Sequence, residues 1–358
     1  MFQIEIEPVW RFTHERDSRS MLVMLDFLFE IRASGKITRA AERADVSYRH
    51  AWNLIEKWSE FFETPLVERR QGRGTTLTAF GEKLVWAGQR LQARLGPQLQ
   101  NLAQELQSEI NALLPQDGSI VRIHASHGFA VSALRELLER EPDLRVDFRY
   151  VGNPNSLASL AHNGCDLAGM HLPQGSLRVQ SIAAWRAALS TEEHCAIGFV
   201  TREMGLIVRR GNPLGIKSLA DLGRAGVRFV NRDADSGTRM LFDDLLAQQG
   251  LDGALIPGYD NVEYTHAAVA AYVASGMADV SFGVEAAARQ FELDFVQLVT
   301  EDYTFVCRRQ SLEHESLQRI LRVMRGEEFR AAIERLPGYS ATDPGMVKSV
   351  EEAFGGDR

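Results

Sequence analysis

Several polar and aromatic side chains between residues 38 and 57 have the chemistry and the spacing to contact nucleic-acid bases. In the helix predicted to begin after Ser47, Ala51 and Ile55 share one face and are expected to be buried. The opposite face then carries base-reading donors, because arginine and asparagine form bidentate hydrogen bonds with guanine and adenine. The predicted contacts in this region are Thr38, Ser47, Tyr48, Arg49, Trp52, Asn53 and Lys57.

A shorter helix and a tight turn precede that helix, and together they predict a helix-turn-helix. Small Ala40 and Ala41 allow two helices to cross closely, and Val46 fills the space beneath the turn. Thr38 is predicted to cap the shorter helix and Ser47 the longer one. In this motif the second helix enters the major groove of double-stranded DNA, while hydroxyls and helix termini bind phosphates. The alternative is a three-helix module that contacts another protein.

A glycine-rich loop at residues 70–74 joins two short predicted strands and resembles a wing. Its arginines would reach the DNA backbone or the minor groove. The stretch from residue 32 to residue 94 holds twelve lysines and arginines against seven acids, although the whole chain has a net charge of -8. Such asymmetry is typical of a DNA-binding module beside a separate domain, although a solvated helical face is the alternative. The predicted wing contacts are Arg69, Arg70 and Arg73.

A second group of side chains, after residue 120, has the donors that a small anion needs. The turn at residues 236–238 follows a predicted strand and opens a helix, so its amides and hydroxyls attract negative charge. Similar turns lie at residues 126–127 and 265–266, and Arg239 or a protonated His127 would add positive charge. The alternative is that Ser236 and Thr238 only cap their helix. The predicted ligand contacts in these turns are Ser126, His127, Ser236, Gly237, Thr238, Arg239, Thr265 and His266.

The elements that position these residues fall into separate segments. We predict an irregular or strand-like leader at residues 1–20, a winged helix-turn-helix at 21–83, a long helix at 84–114 and a linker at 115–119. The long helix carries apolar residues at steps of three or four, which is typical of a coiled-coil seam. We expect it to pair two subunits of a homodimer or homotetramer, although a helix packed inside one subunit is the alternative. Gly96-Pro97 is expected to kink or restart it.

After the linker, strands and helices alternate from residue 120 to about 345, followed by a tail at 346–358. The βαβαβ order predicts a mostly parallel sheet.

Composition limits the class of protein. A hydrophobic fraction of 45% and a charged fraction of 25% are ordinary for a globular protein, and the start of the chain lacks the apolar core of a signal peptide. No apolar run approaches the length of a membrane span. The three cysteines are odd in number and far apart, so neither disulfides nor a cysteine-based zinc site are expected. These features predict a cytoplasmic protein.

The helix-turn-helix region resembles the winged helix-turn-helix of ModE-type molybdate-responsive regulators, which are relatives of LysR-type regulators. The matching words are Ala40-Ala41, the run at residues 47–52, Pro65-Leu66-Val67-Glu68-Arg69-Arg70 and the run at residues 77–81. By this resemblance, the helix after Ser47 reads DNA and the long helix that follows the wing pairs two subunits. The resemblance covers residues 22–84.

Residues 120–340 resemble the periplasmic-binding-protein superfamily, specifically molybdate-binding-like domains. The matching pieces are Ser126-His127-Gly128, Asn155-Ser156-Leu157 with residues 164–169, Asn231-Arg232 with residues 236–239, and residues 274–280 with Phe282-Gly283. The resemblance implies two lobes, at about 120–200 with 305–345 and at 206–302, and strands crossing between them near residues 199–206 and 302–306. It also adds Asn155 and Ser156 to the ligand contacts. The predicted fold is therefore mixed: an all-α winged helix-turn-helix and linker helix, then an α/β two-lobed domain.

The resulting hypothesis is a one-component transcription regulator whose second domain senses molybdate or tungstate. His127, His171, Tyr264 and His266 suggest a larger and more aromatic pocket, so the molybdenum cofactor or another small metabolite is the alternative ligand. An enzyme is a less favoured class, because the chain has no nucleophile elbow, H-E-x-x-H motif or P-loop. A ligand-storage protein would leave the basic helix-turn-helix without a purpose. No resident cofactor or metal is expected.

Overall fold

The chain forms two compact units, Glu7–Gly96 and Pro97–Arg358, the second of which also includes Met1–Ile6. The structure is a computed structural model that describes residues 4–14, 17–70, 74–112, 120–185 and 188–355. Among these described residues, no helix is both long and apolar enough to cross a bilayer.

The smaller unit is a helical core flanked by two β-hairpins. Its elements are β1 (Arg11–His14), β2 (Asp17–Ser20), α1 (Leu22–Ser34), α2 (Ile37–Arg43), α3 (Tyr48–Phe61), β3 (Val67–Arg70), β4 (Gly74–Leu77) and the first part of α4 (Ala79–Ala112). β1 pairs with β2 and β3 with β4, both antiparallel. The helices and the second hairpin form the predicted winged helix-turn-helix.

The helix boundaries in this unit follow from local capping, with one correction to the prediction. Ser47 caps α3, since its Oγ accepts a hydrogen bond from the N–H of His50 at 3.2 Å. α2, in contrast, begins at Ile37 with Lys36 in the capping position, so the prediction that Thr38 caps it is wrong. Ile37 is only 3% exposed, and burying its side chain on the inner face of the helix starts the helix one residue before Thr38.

The first hairpin packs on the helical core. The Phe12 ring of β1 meets the Phe62 ring edge-on at 5.1 Å and the Trp58 ring at 6.3 Å. Ala51 and Ile55 of α3 are buried beneath, as the helical spacing predicted. The hairpin thus fixes the C-terminal end of α3 and leaves its first turns open.

Helix α4 is shared by the two units. It runs as one helix through Pro97, so the restart considered at Gly96-Pro97 does not occur. Val85 is buried in the core of the smaller unit. Farther along the helix, Leu102, Leu106 and Ile110 remain 46%, 37% and 48% exposed. A single chain therefore leaves an apolar stripe on the second half of this helix uncovered.

The larger unit alternates strands and helices. Its elements after α4 are β5 (Ile120–Ala125), α5 (Phe129–Leu138), β6 (Arg145–Tyr150), α6 (Asn153–Ala161), β7 (Leu167–Pro173), α7 (Leu177–Trp185), β8 (His194–Val208), β9 (Phe229–Arg232), α8 (Gly237–Gln248), β10 (Val262–Glu263), α9 (His266–Ala274), β11 (Val280–Val284), α10 (Glu285–Gln290), β12 (Asp294–Arg308), α11 (Glu315–Arg325), α12 (Glu327–Glu334), β13 (Tyr339–Ser340), β14 (Val347–Ser349) and α13 (Val350–Phe354).

One curled sheet in the order β10-β9-β11-β8-β12-β7-β5-β6 runs through this unit, with β13 and β14 attached to β8. Parallel strands β5, β6 and β7 form lobe I, and parallel strands β9, β10 and β11 form lobe II. The 15-residue strands β8 and β12 pair with each other along their length and connect the lobes. Residues 301–306 of β12 already pair with β7 in lobe I, so the crossing on this strand lies before the predicted residues 302–306.

Candidate functional site

The outer face of α3 presents exposed polar side chains. Tyr48, Arg49, Asn53 and Lys57 are exposed, as are Ser47 at the cap and Thr38 on α2. The side chains of Arg49 and Asn53 make no hydrogen bond within the described part of the chain, so their donors remain available to an external acceptor. The structure thus places the predicted helix residues on a surface that base edges and phosphates can reach.

Three of the predicted DNA contacts, Tyr48, Trp52 and Arg69, interact through their side chains. The guanidinium carbon of Arg69, on β3 of the wing, lies 4.3 Å from the centre of the Trp52 ring. Arg69 also donates a hydrogen bond to the Tyr48 hydroxyl at 3.0 Å, and Trp52 donates to Glu56 at 2.7 Å. This cluster fixes the wing against α3. The backbone of Arg70 ends β3, but its side chain and the whole of Arg73 lie outside the described residues.

In the larger unit, three helices begin at the ends of strands from both lobes, and some predicted ligand contacts serve those helix ends. Ser236 Oγ accepts from the N–H of Arg239 at 3.1 Å, and Thr265 Oγ1 accepts from the N–H of Ala268 at 3.0 Å. Ser126 donates its N–H to the Tyr303 hydroxyl at 3.0 Å. The hydroxyls of Ser236 and Thr265 therefore act as caps, and the backbone amides of these turns are the better ligand donors.

Asn155 and Ser156, which the resemblance added, are not brought to a shared ligand position. Ser156 is fully buried, and its hydroxyl donates back to the Gly152 carbonyl at 3.2 Å. Asn155 is exposed and makes no hydrogen bond to any described residue. The prediction for Ser156 is therefore wrong, because its hydroxyl already bonds to its own helix turn.

Charged and aromatic side chains of lobe I and of the crossing strands β8 and β12 contact one another. Arg202 on β8 forms a buried ion pair with Glu301 on β12, with Nη2 and Oε2 2.6 Å apart. The His171 ring of β7 lies on the Tyr303 ring, with the centres 3.7 Å apart. Tyr303 fits there because Gly169 has no side chain, since a Cβ at that position would collide with the Tyr303 hydroxyl. We call this region the interlobe cleft.

Arg232, at the end of β9 in lobe II, is the charged residue of the cleft that the prediction did not include. It is 7% exposed, and its Nη2 donates to the Tyr264 carbonyl at 2.9 Å. Its Nε is buried without a hydrogen-bond partner among the described residues, and Asp233 lies 3.7 Å from Nη2. Burial lowers the pKa of Arg232 to about 10, so the side chain is still a cation at neutral pH.

Arg239, which was predicted to add charge, is already paired. Its Nε lies 3.0 Å from both carboxylate oxygens of Asp243, and its guanidinium carbon lies 4.0 Å from the centre of the Tyr259 ring. The prediction that Arg239 contacts the ligand is therefore not supported, and Arg232 takes its place. The sequence carried a signal for this: Arg239 and Asp243 are four residues apart on one helix, which is the spacing of an ion pair.

The histidines of the cleft are neutral. Burial, together with the charges of Arg232 and Arg135, lowers the pKa of His127 to about 4. Burial and the charges of Arg232 and Arg202 also hold the pKa of His266 and of His171 well below the ordinary value. The prediction that a protonated His127 supplies charge in the free protein is therefore wrong. The charge of Arg232 in lobe II is thus among the causes that lower the pKa of His127 and of His171 in lobe I.

His266 and Thr238 complete the lobe II side of the cleft. Thr238 Oγ1 and His266 Nε2 lie 3.4 Å apart and both residues are buried. His266 Nδ1 is buried and has no hydrogen-bond partner in the described chain. The cleft therefore combines a cation whose carboxylate neighbour, Asp233, lies 3.7 Å away with neutral donors, an arrangement that suits a small anion.

Metal ligands do not gather among the residues that the structure describes: no group of three histidine, cysteine, aspartate or glutamate side chains is placed to hold an ion. Cys165, Cys195 and Cys307 are buried free thiols.

Comparison with known proteins gives two domain matches. Residues 22–82 match the model for bacterial regulatory helix-turn-helix proteins of the lysR family. Residues 134–325, more than half of the 358-residue chain, match the model for the PBP superfamily domain.

Individual relatives align with parts of the chain. YvgK of Bacillus subtilis (strain 168) is 32% identical over 199 residues, which cover 56% of this chain and 64% of YvgK. The transcriptional regulator ModE of Haemophilus influenzae is 40% identical over 62 residues, covering 16% of this chain and 24% of ModE. The structure of an OxyR mutant of Corynebacterium glutamicum with bound H2O2 shares 15% identity at a TM-score of 0.45, covering 87% of this chain and 94% of that one. The chain thus spans less than two thirds of YvgK and about a quarter of ModE.

Proposed function

This chain belongs to the PBP superfamily, and from that premise we propose that it is a DNA-binding transcription regulator of the LysR/ModE-like type whose two-lobed domain senses a small anion. The ligand would bind in the interlobe cleft, against Arg232, His127 and His266. Because a ligand that prefers one conformation shifts the population towards it, binding would change the affinity of the helix-turn-helix for DNA. Molybdate and tungstate are the first candidates.

The observation that carries the anion proposal is the buried guanidinium of Arg232. A buried donor without an acceptor costs about 1–3 kcal/mol, and the Nε of Arg232 lacks one among the described residues. Other arginines near the cleft have a carboxylate within 3.0 Å: Arg202 pairs with Glu301, and Arg239 with Asp243. An anion between the lobes would supply the missing acceptor for Nε and a negative charge in addition to that of Asp233.

The donors around Arg232 suit a tetrahedral oxyanion. The backbone N–H groups of Gly237 and Thr238 begin α8 and make no hydrogen bond to a described residue, and His127 and His266 add neutral ring nitrogens. The contact of the His127 ring with the Tyr150 ring, at 4.9 Å, and that of His171 with Tyr303 favour the alternative of a larger ligand. That alternative is the molybdenum cofactor or another small metabolite.

On the DNA side, we propose that α3 enters the major groove. Arg49 and Asn53 would contact base edges, while Ser47, Thr38 and Lys57 would contact phosphates. Arg69 would bind the backbone with the part of its guanidinium that the Tyr48 hydroxyl does not use.

The exposed stripe of Leu102, Leu106 and Ile110 on α4 supports pairing of two copies of the chain. A twofold-symmetric pair would present two α3 helices to two half-sites, as homodimeric regulators do. A regulator that binds DNA is expected in the cytoplasm, where bacterial DNA is located.

Isothermal titration calorimetry of the full chain tests the anion proposal with sodium molybdate, tungstate, sulfate and phosphate. We expect one or more of them to bind, and Arg232→Gln to weaken that binding about 10- to 100-fold, the effect of one charge-assisted hydrogen bond. The matched control is Arg239→Gln, an arginine of the same lobe that is held by Asp243, which should change the affinity less than about threefold. The proposal fails if none of the four anions binds or if the two variants behave alike. Binding of molybdenum cofactor alone, with the same dependence on Arg232, would select the alternative ligand.

A further inference from the structure

Asn101 of α4 is attached to the two-lobed domain through both backbone groups of a single residue. Its Nδ2 donates to the Tyr150 carbonyl at 2.9 Å, and its Oδ1 accepts from the Tyr150 N–H at 2.8 Å. Tyr150 is the last residue of β6, the strand at one edge of the sheet, where it pairs with Ala125 of β5. The side-chain amide of Asn101 therefore takes the position that a further strand would occupy, and satisfies backbone groups that an edge leaves open.

Tyr150 is also a residue of the interlobe cleft. Its ring meets the His127 ring edge-on, with the centres 4.9 Å apart. The next carbonyl along the chain, that of Val151, lies 3.5 Å from the Ser126 hydroxyl. The residue whose backbone holds the linker helix thus has its side chain against the turn that we propose to contact the ligand.

We propose that this pair of hydrogen bonds, the Asn101–Tyr150 clasp, transmits the occupancy of the cleft to helix α4; the inference rests on the proposed function. An anion that draws His127 towards Arg232 changes the contact between the His127 and Tyr150 rings. Tyr150 then moves with the end of β6, and its N–H and C=O carry Asn101 with them. Because α4 is one helix from Ala79 to Ala112, a displacement at Asn101 is passed along it to its first turns, which directly follow the wing.

The clasp has a specific role in this scheme: it sets how strongly the two binding events are coupled. Removing it should leave anion binding and DNA binding each near their wild-type strength, while abolishing the effect of one on the other. A merely structural role would instead lower both affinities, or would leave the effect of one binding event on the other unchanged.

The test measures the DNA affinity of the full chain with and without the anion that binds the wild type, molybdate being tried first. For the wild type, we expect the DNA Kd values with and without the anion to differ at least about fivefold. For Asn101→Ala, we expect these two Kd values to differ less than about twofold and the anion Kd to change less than about threefold. Gln100→Ala is the matched control, because Gln100 is the exposed neighbouring amide and makes no hydrogen bond to a described residue. An Asn101→Ala variant that keeps the wild-type ratio overturns the inference. Failure of the wild type to bind any anion overturns the proposed function instead.

A ligand-free measurement tests the clasp independently. Hydrogen exchange of the backbone amides at residues 98–112 is compared in the wild type, His127→Ala, Asn101→Ala and the double variant. If the clasp carries the coupling, His127→Ala changes exchange in this helix in the wild-type background and adds nothing when Asn101 is already alanine. Additive effects of the two substitutions, or no effect of His127→Ala on the helix, contradict the inference.

Discussion

The outer face of α3 and the interlobe cleft both carry arginine, but the arginine is exposed on α3 and buried in the cleft. Arg49 on α3 is exposed and makes no hydrogen bond within the described chain. In the cleft, Arg202 and Arg232 are 3% and 7% exposed, and their surroundings contain neutral histidines. An exposed arginine suits DNA, whose phosphates and base edges meet it at the surface. A confined arginine favours a small anion, because only a small ligand can reach it and replace the lost water.

The largest expected effect of this difference is on stability. Glu301→Ala leaves the Arg202 guanidinium buried without its carboxylate and should lower the free energy of unfolding by about 3–5 kcal/mol. Glu292→Ala removes the partner of Arg210 in an exposed pair, with side chains 79% and 74% exposed, and should cost less than about 0.5 kcal/mol. Urea unfolding of both variants measures the contrast. Equal losses would mean that burial does not distinguish the two kinds of ion pair.

The next effect is on the pH dependence of stability. The unfolded chain takes up protons on its histidines near pH 6.5, whereas folded His127 does so only near pH 4 and His171 and His266 also resist protonation. The unfolded state therefore binds more protons, and stability falls as pH drops from about 6.5 towards 4. Arg232 and Arg135 face His127 and add to this effect.

Urea unfolding at about pH 7.5 and about pH 5 measures this slope. His127→Asn removes one of the histidines that contribute to this loss and should make the loss at low pH smaller than in the wild type. A loss of the same size in both proteins would show that His127 is not confined in the way the structure indicates.

On the DNA side, the expected effects appear in binding and not in folding. Arg49→Ala or Asn53→Ala should weaken DNA binding by about 1–3 kcal/mol each, roughly 5- to 150-fold, since each removes a bidentate base contact. Their unfolding free energies should stay within about 0.5 kcal/mol of the wild type. Fluorescence anisotropy with a labelled duplex measures the first quantity, and Arg210→Ala, an exposed arginine in the other unit, is the control. If the control loses DNA affinity to the same degree, then Arg49 acts through general charge attraction and not through a base contact.

The smallest effect concerns the caps of the two helices. Ser47→Ala should destabilise the smaller unit by about 1 kcal/mol, because it removes the hydrogen bond to the His50 amide. Thr38→Ala should have almost no effect, since Thr38 is not the cap of α2. Tryptophan fluorescence follows this unit, as four of the five tryptophans lie in it. Equal destabilisation by the two substitutions would contradict the assignment of the caps.

The comparison between the sites also explains what the sequence could predict. The helix-turn-helix depends on local features, such as the capping of α3 by Ser47 and the inner face of Ala51 and Ile55, so its elements and its outer face followed from the spacing of residues. The one local error, at Thr38, arose because the buried side chain of Ile37 starts the helix earlier than the hydroxyl suggested.

The cleft is different because its residues come from distant parts of the chain. Arg202 and Glu301 meet only through the register of β8 and β12, and no local pattern predicts that pairing. Arg239 looked like the charged ligand contact because it follows the Ser236 turn. Asp243, however, pairs with it at 3.0 Å, whereas the carboxylate nearest to Arg232, at the end of β9, is that of Asp233 at 3.7 Å. The Asn101–Tyr150 clasp likewise joins residues 49 positions apart.

The most direct test of the account is the affinity of the full chain for a labelled duplex from the region upstream of its own gene, measured by anisotropy with and without a saturating anion that calorimetry has shown to bind. We predict a change in Kd of at least about fivefold, in either direction, for the wild type. An identical Kd in the two conditions, with the cleft demonstrably occupied, would contradict the claim that the cleft controls DNA binding.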